Sequence, residues 1–277
     1  MYRGAAAVRA WLWIWYVGYV VLRVLLRITI GRRRRNWVQA ALGLHYGRMA
    51  SAGQGGLLPR REPHVNRIVR RILGAPGARS FVDVGAFLGW YTSMAHRFLM
   101  WREGFSIVAV EPDPDNYREL EKAFFGVRGV HLVNSAVHVS DDAEIDFHVG
   151  KKGPGGLSES GSCTPTRWHV GKGYLSGERI RVNTVRLDTL IRRYGLERVD
   201  LVKMDIEGAE YPVLTDPSLD LSRVENMVVE VHYRWGSRES EEIMRALAKH
   251  GFKIVPLYPD QNSDTYHLLA CRGEVPW

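Results

Sequence analysis

The chain has 277 residues, enough for one good hydrophobic core with a small appendage. A 45% hydrophobic fraction with 10% aromatics excludes general disorder, and two cysteines without Cys-x-x-Cys spacing, Cys163 and Cys271, exclude a disulfide scaffold or structural zinc framework and fit a reducing compartment. A formal charge of +8 favours an anionic partner or surface without choosing among them.

The first element expected is a helix over residues 8–30. Its apolar run, Trp11 to Leu22, is short of the roughly 20 residues that span a bilayer, but Arg23 and Arg27 can snorkel. Arg9, Tyr16, Arg23 and Arg27 share one stripe, which suits a helix lying in or tilted through a membrane interface. Arg32-Arg33-Arg34-Arg35 stands where a cleaved signal peptide would carry small residues, and holds the downstream chain on the cytoplasmic side. Packing of the same helix on protein is the alternative. Residues 1–35 thus read as a possible membrane anchor, 36–77 as a helical connecting region, and 78–277 as the main domain. The connecting region is broken by Gly53-Gln54-Gly55-Gly56, Pro59 and Pro63. It closes with a helix from His64 to Leu73 whose Val65, Ile68, Val69 and Ile72 share a face, stopped by Gly74 and Pro76.

Ser80-Phe81-Val82-Asp83-Val84 then reads as a buried strand, followed by a turn with Gly85 and Gly89 and a helix from Trp90. The glycines allow a sharp turn and close ligand approach, and free amides at the helix start suit an anionic or carboxylate group. A pyrophosphate would be repelled by Asp83, whereas S-adenosylmethionine brings an ammonium and a sulfonium that a carboxylate attracts. The stretch resembles motif I of class I methyltransferases. A second buried strand, Ser106 to Val110, ends at Glu111, a little over 20 residues after Gly89, where a βαβ unit places the acid that binds ribose hydroxyls. Asp115 is expected to cap a helix from Tyr117 to Phe125.

A third strand is expected from Val130 to Val137, with Asn134 and Ser135 at the adenine position. Ala143 to Val149 alternates as an exposed extra strand. Residues 151–177 read as a long insert, either filler or a lid, whose Ser158, Ser160, Ser162 and Thr164 hydroxyls suit a sugar-like ligand. Arg181 to Val185 is a strand that turns at Asp188 into a helix. In the next strand, Val199 to Asp205, alternation puts Lys203 and Asp205 on one face and delivers Asp205 and Glu207 to the ligand edge. Glu210 falls in the first turn of the following helix, where capping accounts for it. Asn226 to His232 places Glu230 and His232 on one face, able to converge with Asp205. A helix from Glu239 to His250 and strands Phe252 to Leu257 and Tyr266 to Cys271 complete the sheet.

Asp83-Val84-Gly85-Ala86 with Gly89, Tyr91 and Thr92, Leu187-Asp188-Thr189-Leu190, and Asp205-Ile206-Glu207-Gly208-Ala209-Glu210 together resemble the FkbM-type methyltransferases, over roughly residues 60 to 272. The chain departs from that pattern at Phe87, where the family usually has Asn. The resemblance implies an α/β, doubly wound, mostly parallel sheet with an antiparallel last strand, and S-adenosyl-L-methionine as methyl donor. It implies donor contacts at Asp83, Gly85, Ala86, Gly89, Tyr91, Glu111, Asn134, Ser135 and Asp205. The expected reaction is O-methylation of a hydroxyl on a glycan, lipid-linked saccharide or other small polar acceptor. Asp205 or His232 would be the base, with Glu207 beside them; a divalent metal on Asp205, Glu207 or Glu230 is the alternative means of activating the hydroxyl. An RNA methyltransferase would explain the arginines but lacks an RNA-binding module, so nucleic acid is disfavoured. A non-catalytic, membrane-associated donor-binding protein would not need Asp205. The sequence carries no signal for oligomeric state.

Overall fold

Apolar, β-branched runs form the centre of the molecule because both faces of the sheet are covered, so alternation with polar residues is unnecessary. The computed structural model describes residues 62–153, 156–158, 160–257 and 264–275; the expected membrane helix and residues 36–61 of the connecting region lie outside them. The described chain begins with helix α1 (Pro63–Gly74), followed by β1 (Ser80–Val84), α2 (Trp90–Leu99), β2 (Ser106–Val110), α3 (Pro114–Phe124) and β3 (Val130–Val133). Next come β4 (Ala136–Val137), β5 (Glu144–Gly150), α4 (Arg167–Lys172), β6 (Leu175–Val185), α5 (Leu187–Arg193), β7 (Leu201–Met204) and α6 (Glu210–Thr215). The last elements are β8 (Asn226–Val231), α7 (Arg238–Lys249), β9 (Lys253–Leu257) and β10 (Tyr266–Cys271).

The main sheet runs β3-β2-β1-β7-β8-β10-β9. Its first five strands are parallel, and β10 runs antiparallel to both β8 and β9. The chain leaves β1 toward β2 and β3 and returns on the other side of β1 with β7. This reversal opens a crevice at the carboxyl ends of β1 and β7, the place where such sheets bind ligands. Val82, Val108, Val202 and Val229 pack with α5, α6 and α7 on one face. Phe81, Ile107, Leu201 and Val228 pack with α1 and α2 on the other. The apolar face of α1 expected from Val65, Ile68, Val69 and Ile72 is buried there.

Three local expectations are corrected. The expected strand over Val130 to Val137 breaks at Asn134-Ser135, after which Ala136 and Val137 join a separate sheet of order β4-β6-β5. The cap of α3 is Asp113, whose carboxylate accepts from the amides of Asp115 and Asn116. Asp115 cannot play that part because Pro114 already begins the helix, its missing N–H costing nothing in a first turn. Lastly, the insert is not structureless. Strand β6 starts at Leu175, α4 lies within it, and Ser162 exchanges backbone hydrogen bonds with His148 at 2.8 and 2.9 Å. Helix α4 lacks an apolar periodicity to announce it; Thr166 and His169 hold its first turn with reciprocal capping hydrogen bonds.

Candidate active site

The crevice is a cleft of about 490 Å³. Gly85, Phe87, Glu111, Ser135, Asp205, Glu207 and Glu230 line it from the sheet edge, and Ser158, Ser160, Trp168 and Tyr174 line it from the insert. Glu62 and His267 line it from the two ends of the described chain. Its size is that of an ordinary small-molecule site.

Gly85 is indispensable for a reason the sequence does not show. With φ of +77°, it sits so close to β7 that an added Cβ would lie 1.8 Å from the carbonyl oxygen of Asp205. The missing side chain is what lets the two motifs meet. The amides of this turn are not free, however. Gly85 and Ala86 both donate to the Val110 carbonyl, at 3.0 and 2.9 Å, and Phe87 donates to Glu111 Oε2 at 2.8 Å. Phe87 adopts φ of +49°. That left-handed geometry explains why asparagine, which tolerates it, suits this position. Gly89 has a packing role: a Cβ there would lie 2.4 Å from the Phe124 ring and 2.7 Å from a Leu120 methyl.

Strand alternation sends Asp83 to the sheet face under α2, where it is buried and accepts from Thr92 Oγ1 at 2.6 Å. Burial pushes its carboxyl up to about 6, against the opposing pull of Lys203. Tyr91 is not among the residues that line the cleft but stands behind one of them. Its hydroxyl donates to Glu62 Oε2 at 2.5 Å, and Lys203 Nζ lies 5.0 Å from its ring centre. Glu111 does line the cleft; it accepts from the amides of Phe87 and Asp113 and from Asn116 Nδ2. Burial outweighs those donors and pushes its carboxyl up to about 7. Asn134 is exposed and spends its amide group on the carbonyls of Glu111 and Pro112, so it braces a turn while neighbouring Ser135 faces the cleft.

The chemistry concentrates at the ends of β7 and β8. Asp205 Oδ2 accepts from Lys203 Nζ at 2.9 Å, and its Oδ1 lies 3.9 Å from His232 Nε2. His232 is buried. Its Nδ1 is 3.0 Å from Glu210 Oε1, and its Nε2 is 3.1 Å from Glu207 Oε2. Glu210 also accepts from the amides of Ile206 and Gly208, which precede the helix, so instead of capping α6 it braces the turn after β7 and orients the imidazole. Burial favours a neutral His232, but the carboxylates of Glu210 and Glu207 outweigh it and hold the imidazole well above its ordinary value. Burial, with the charges of Asp205, Glu230 and Glu210 adding to it, pushes Glu207 well above the ordinary carboxyl range, against the pull of His232. Asp205 is lowered, because Lys203 and His232 overcome its desolvation.

The acids nominated for a metal, Asp205, Glu207 and Glu230, each bring an oxygen within 3.9 Å of His232 Nε2. The tighter ligand-like groups are Glu62 with Glu230 and His267, and Asp205 with Glu210 and His232.

The insert reaches this cluster through Ser162, one of the hydroxyls singled out in the sequence, and through His169 and Trp168, which sequence reasoning missed. Ser162 Oγ donates to the Glu207 carbonyl at 2.5 Å. His169 is fully buried, with Nε2 3.4 Å from Glu207 Oε2. Burial, with His232 and His148 adding to it, pushes His169 down to about 4, so the ring is neutral. Because its Nδ1 accepts the Thr166 N–H at 3.1 Å, the ring proton resides on Nε2 and points toward Glu207. Trp168 packs against Tyr174 with ring centres 4.7 Å apart and meets the His232 ring edge-on at 5.1 Å. A Trp-His pair inside a Gly- and Ser-rich loop was the available signal. Nothing local marks Glu62 or His267.

The reversal point in the sheet, the Gly85 turn and the acid-lined edge define a class I methyltransferase fold and its cleft. A family model described as "Methyltransferase FkbM domain" matches residues 83–254. The chain is similar to 2-O-methyltransferase NoeI of Sinorhizobium fredii, 30% identical over 174 residues, covering 60% of this chain and 68% of NoeI. It is also similar to 31-O-demethyl-FK506 methyltransferase FkbM of Streptomyces tacrolimicus, 28% identical over 214 residues, covering 69% of this chain and 79% of that enzyme. A 107-residue stretch, 35% of this chain, is 36% identical to the AMB antimetabolite synthetase AmbE of Pseudomonas aeruginosa, of which it spans 5%. The chain belongs to the FkbM methyltransferase family and is an S-adenosylmethionine-dependent methyltransferase.

Proposed function

We propose that this enzyme methylates a hydroxyl oxygen of a saccharide or a similarly polar small molecule. The observation that carries the reading is the position of Trp168 and Tyr174, an aromatic pair beside the Glu207–His232 cluster. An aromatic face covers the C–H face of a sugar ring, while neighbouring carboxylates and the Ser158 and Ser160 region satisfy its hydroxyls. The names of NoeI and of the Streptomyces enzyme both specify transfer to oxygen, which supports a hydroxyl acceptor.

In the proposed reaction the acceptor oxygen attacks the sulfonium methyl in line, and the carbon–sulfur bond breaks with its electron pair going to sulfur. The enzyme's task is to align the two and exclude water. The hydroxyl proton passes to the Glu207–His232 pair, whose Oε2 and Nε2 lie 3.1 Å apart beside the cleft. His232, held by Glu210 on Nδ1 and by Glu207 on Nε2, orients Glu207 and shares its charge. Asp205 anchors the opposite side through Lys203.

The test is transfer of tritiated methyl from the donor into fractionated saccharides, lipid-linked saccharides, RNA and protein. Label should enter a saccharide fraction in an alkali-stable ether. Trp168→Ala should raise the acceptor KM by roughly 10- to 100-fold, the worth of one lost aromatic contact, and Trp168→Phe should recover most of it. Label confined to RNA or protein would overturn the reading.

We also propose attachment of the enzyme to the cytoplasmic face of a membrane through residues 8–30. The support is the Trp-rich apolar run and Arg32 to Arg35; among the described residues no helix is long and apolar enough to cross a membrane.

A further inference from the structure

We infer that the α-ammonium group of the methyl donor is held between Glu62 and Glu230, in place of Asp83. This rests on the donor occupying the cleft described above. The cleft runs from Ser135 and Glu111 on one side of the Gly85 turn to Asp205, Glu230, His267 and Glu62 on the other. Glu111 suits the ribose hydroxyls, so the nucleoside belongs on its side and the amino-acid tail extends toward the second group.

Asp83, the acid that the motif offers for this purpose, is sequestered. It is only 1% exposed, bonded to Thr92, and does not line the cleft. Glu62 and Glu230 do line it. Oxygens of these two acids and Nε2 of His267 all lie within 4.8 Å of one another. His267 Nε2 is 3.7 Å from Glu62 Oε2 and 3.4 Å from Glu230 Oε2, and it is buried without a hydrogen-bond partner. Two carboxylates face a single imidazole, which leaves this corner negative even with His267 protonated. The charge of Lys203 also reaches Glu62 and Glu230, but its hydrogen bond goes to Asp205. A compact ammonium with three donors matches two close carboxylates and removes the residual charge.

The same assignment explains why Tyr91 turns its hydroxyl to Glu62: it fixes one of the two carboxylates. His64, whose Nε2 is 3.3 Å from His267 Nδ1, steadies the imidazole from behind. Glu62 and His267 both lie outside the family-matched stretch 83–254. The segments flanking that stretch, α1 and β10, therefore complete the donor site.

The test is calorimetry on the full-length protein with S-adenosylhomocysteine, its des-amino analogue, and 5′-methylthioadenosine, which shares the nucleoside and thioether but has no amino-acid tail. Glu62→Gln and Glu230→Gln should each weaken S-adenosylhomocysteine by about tenfold or more, the worth of a charge-assisted hydrogen bond, while 5′-methylthioadenosine stays within about twofold. Removing the amino group should weaken binding to the wild type, cost less in each single variant, and cost nothing further in the Glu62→Gln/Glu230→Gln double variant. Unchanged S-adenosylhomocysteine affinity in both variants, or an equal loss for 5′-methylthioadenosine, overturns the assignment. If a variant melts early, Glu62→Asp with the same ligand pair decides, since it keeps the charge and should keep part of the discrimination; no discrimination there overturns it. A wild-type protein that binds none of the three ligands refutes the placement of the donor itself, a result distinct from the variant outcomes.

Discussion

Gly85→Ala tests whether the turn after β1 is a ligand contact or the joint between two motifs. A left-handed alanine costs about 1–2 kcal/mol. Its methyl would stand 1.8 Å from the Asp205 carbonyl oxygen and 2.9 Å from the carbonyl carbon, both backbone atoms that no rotamer change can clear. Relief requires β1 and β7 to separate at their ends, an overpacking cost of about 1–3 kcal/mol. The sum, roughly 2–5 kcal/mol, is a large part of a typical domain's stability and corresponds to a melting temperature lower by roughly 4–20 °C. A shift of about 1 Å between donor and acceptor also costs roughly 100-fold in rate. Gly89→Ala is the comparison: it shares the left-handed cost, but its added methyl meets the Phe124 ring and a Leu120 methyl, side chains and not backbone, and Gly89 is not among the cleft-lining residues. Thermal melts and methyl-transfer kinetics on both variants measure the difference. Gly89→Ala should lose some stability and keep its turnover, whereas Gly85→Ala should lose both. A Gly85→Ala protein that transfers methyl as well as Gly89→Ala would refute the reasoning.

Asp205→Asn should reduce kcat by about 100-fold or more while S-adenosylhomocysteine affinity stays within about threefold, and His232→Gln should act in the same direction; retained turnover in either removes that residue from the chemistry. Asp205→Asn should also melt earlier, because it leaves buried Lys203 without its 2.9 Å partner. Glu111 supplies a pH signature. Its folded value of about 7 lies above its ordinary 4.5, so its contribution to stability is complete below pH 4.5 and is lost as pH rises toward 7. The melting temperature of the wild type relative to Glu111→Gln should therefore fall across that window, and a flat difference would contradict the burial argument. Liposome flotation of the full chain against one beginning at Asn36 tests membrane attachment: only the full chain should float with anionic vesicles, Arg32 to Arg35 adding roughly 1 kcal/mol each.

Local signals in the sequence were sufficient for the strand, turn and helix at 80–99, for the alternation that puts Lys203 and Asp205 together, and for the arrival of Glu230 and His232 at one sheet edge. These follow from periodicity and from the backbone freedom of glycine, properties of neighbouring residues. Tertiary structure decided what each group does once there. Asp83 looked like a donor ligand because it ends a strand, but the covering helix α2 supplies Thr92 and closes it off. His232 reaches the edge by alternation, but its proton affinity is set by the carboxylates of Glu210, Glu207 and Glu230 around it. The insert, reduced to a lid or filler in the sequence, returns to the cleft because Ser162 reaches the Glu207 carbonyl 45 residues away and His169 faces the same side chain. Glu62 and His267 meet only because α1 and β10 pack near the same edge of one sheet. Periodicity carries the orientation of a side chain along its own element, but proton affinity and ligand contacts are set by what other elements place within a few ångströms, and in this chain those partners come from segments remote in sequence.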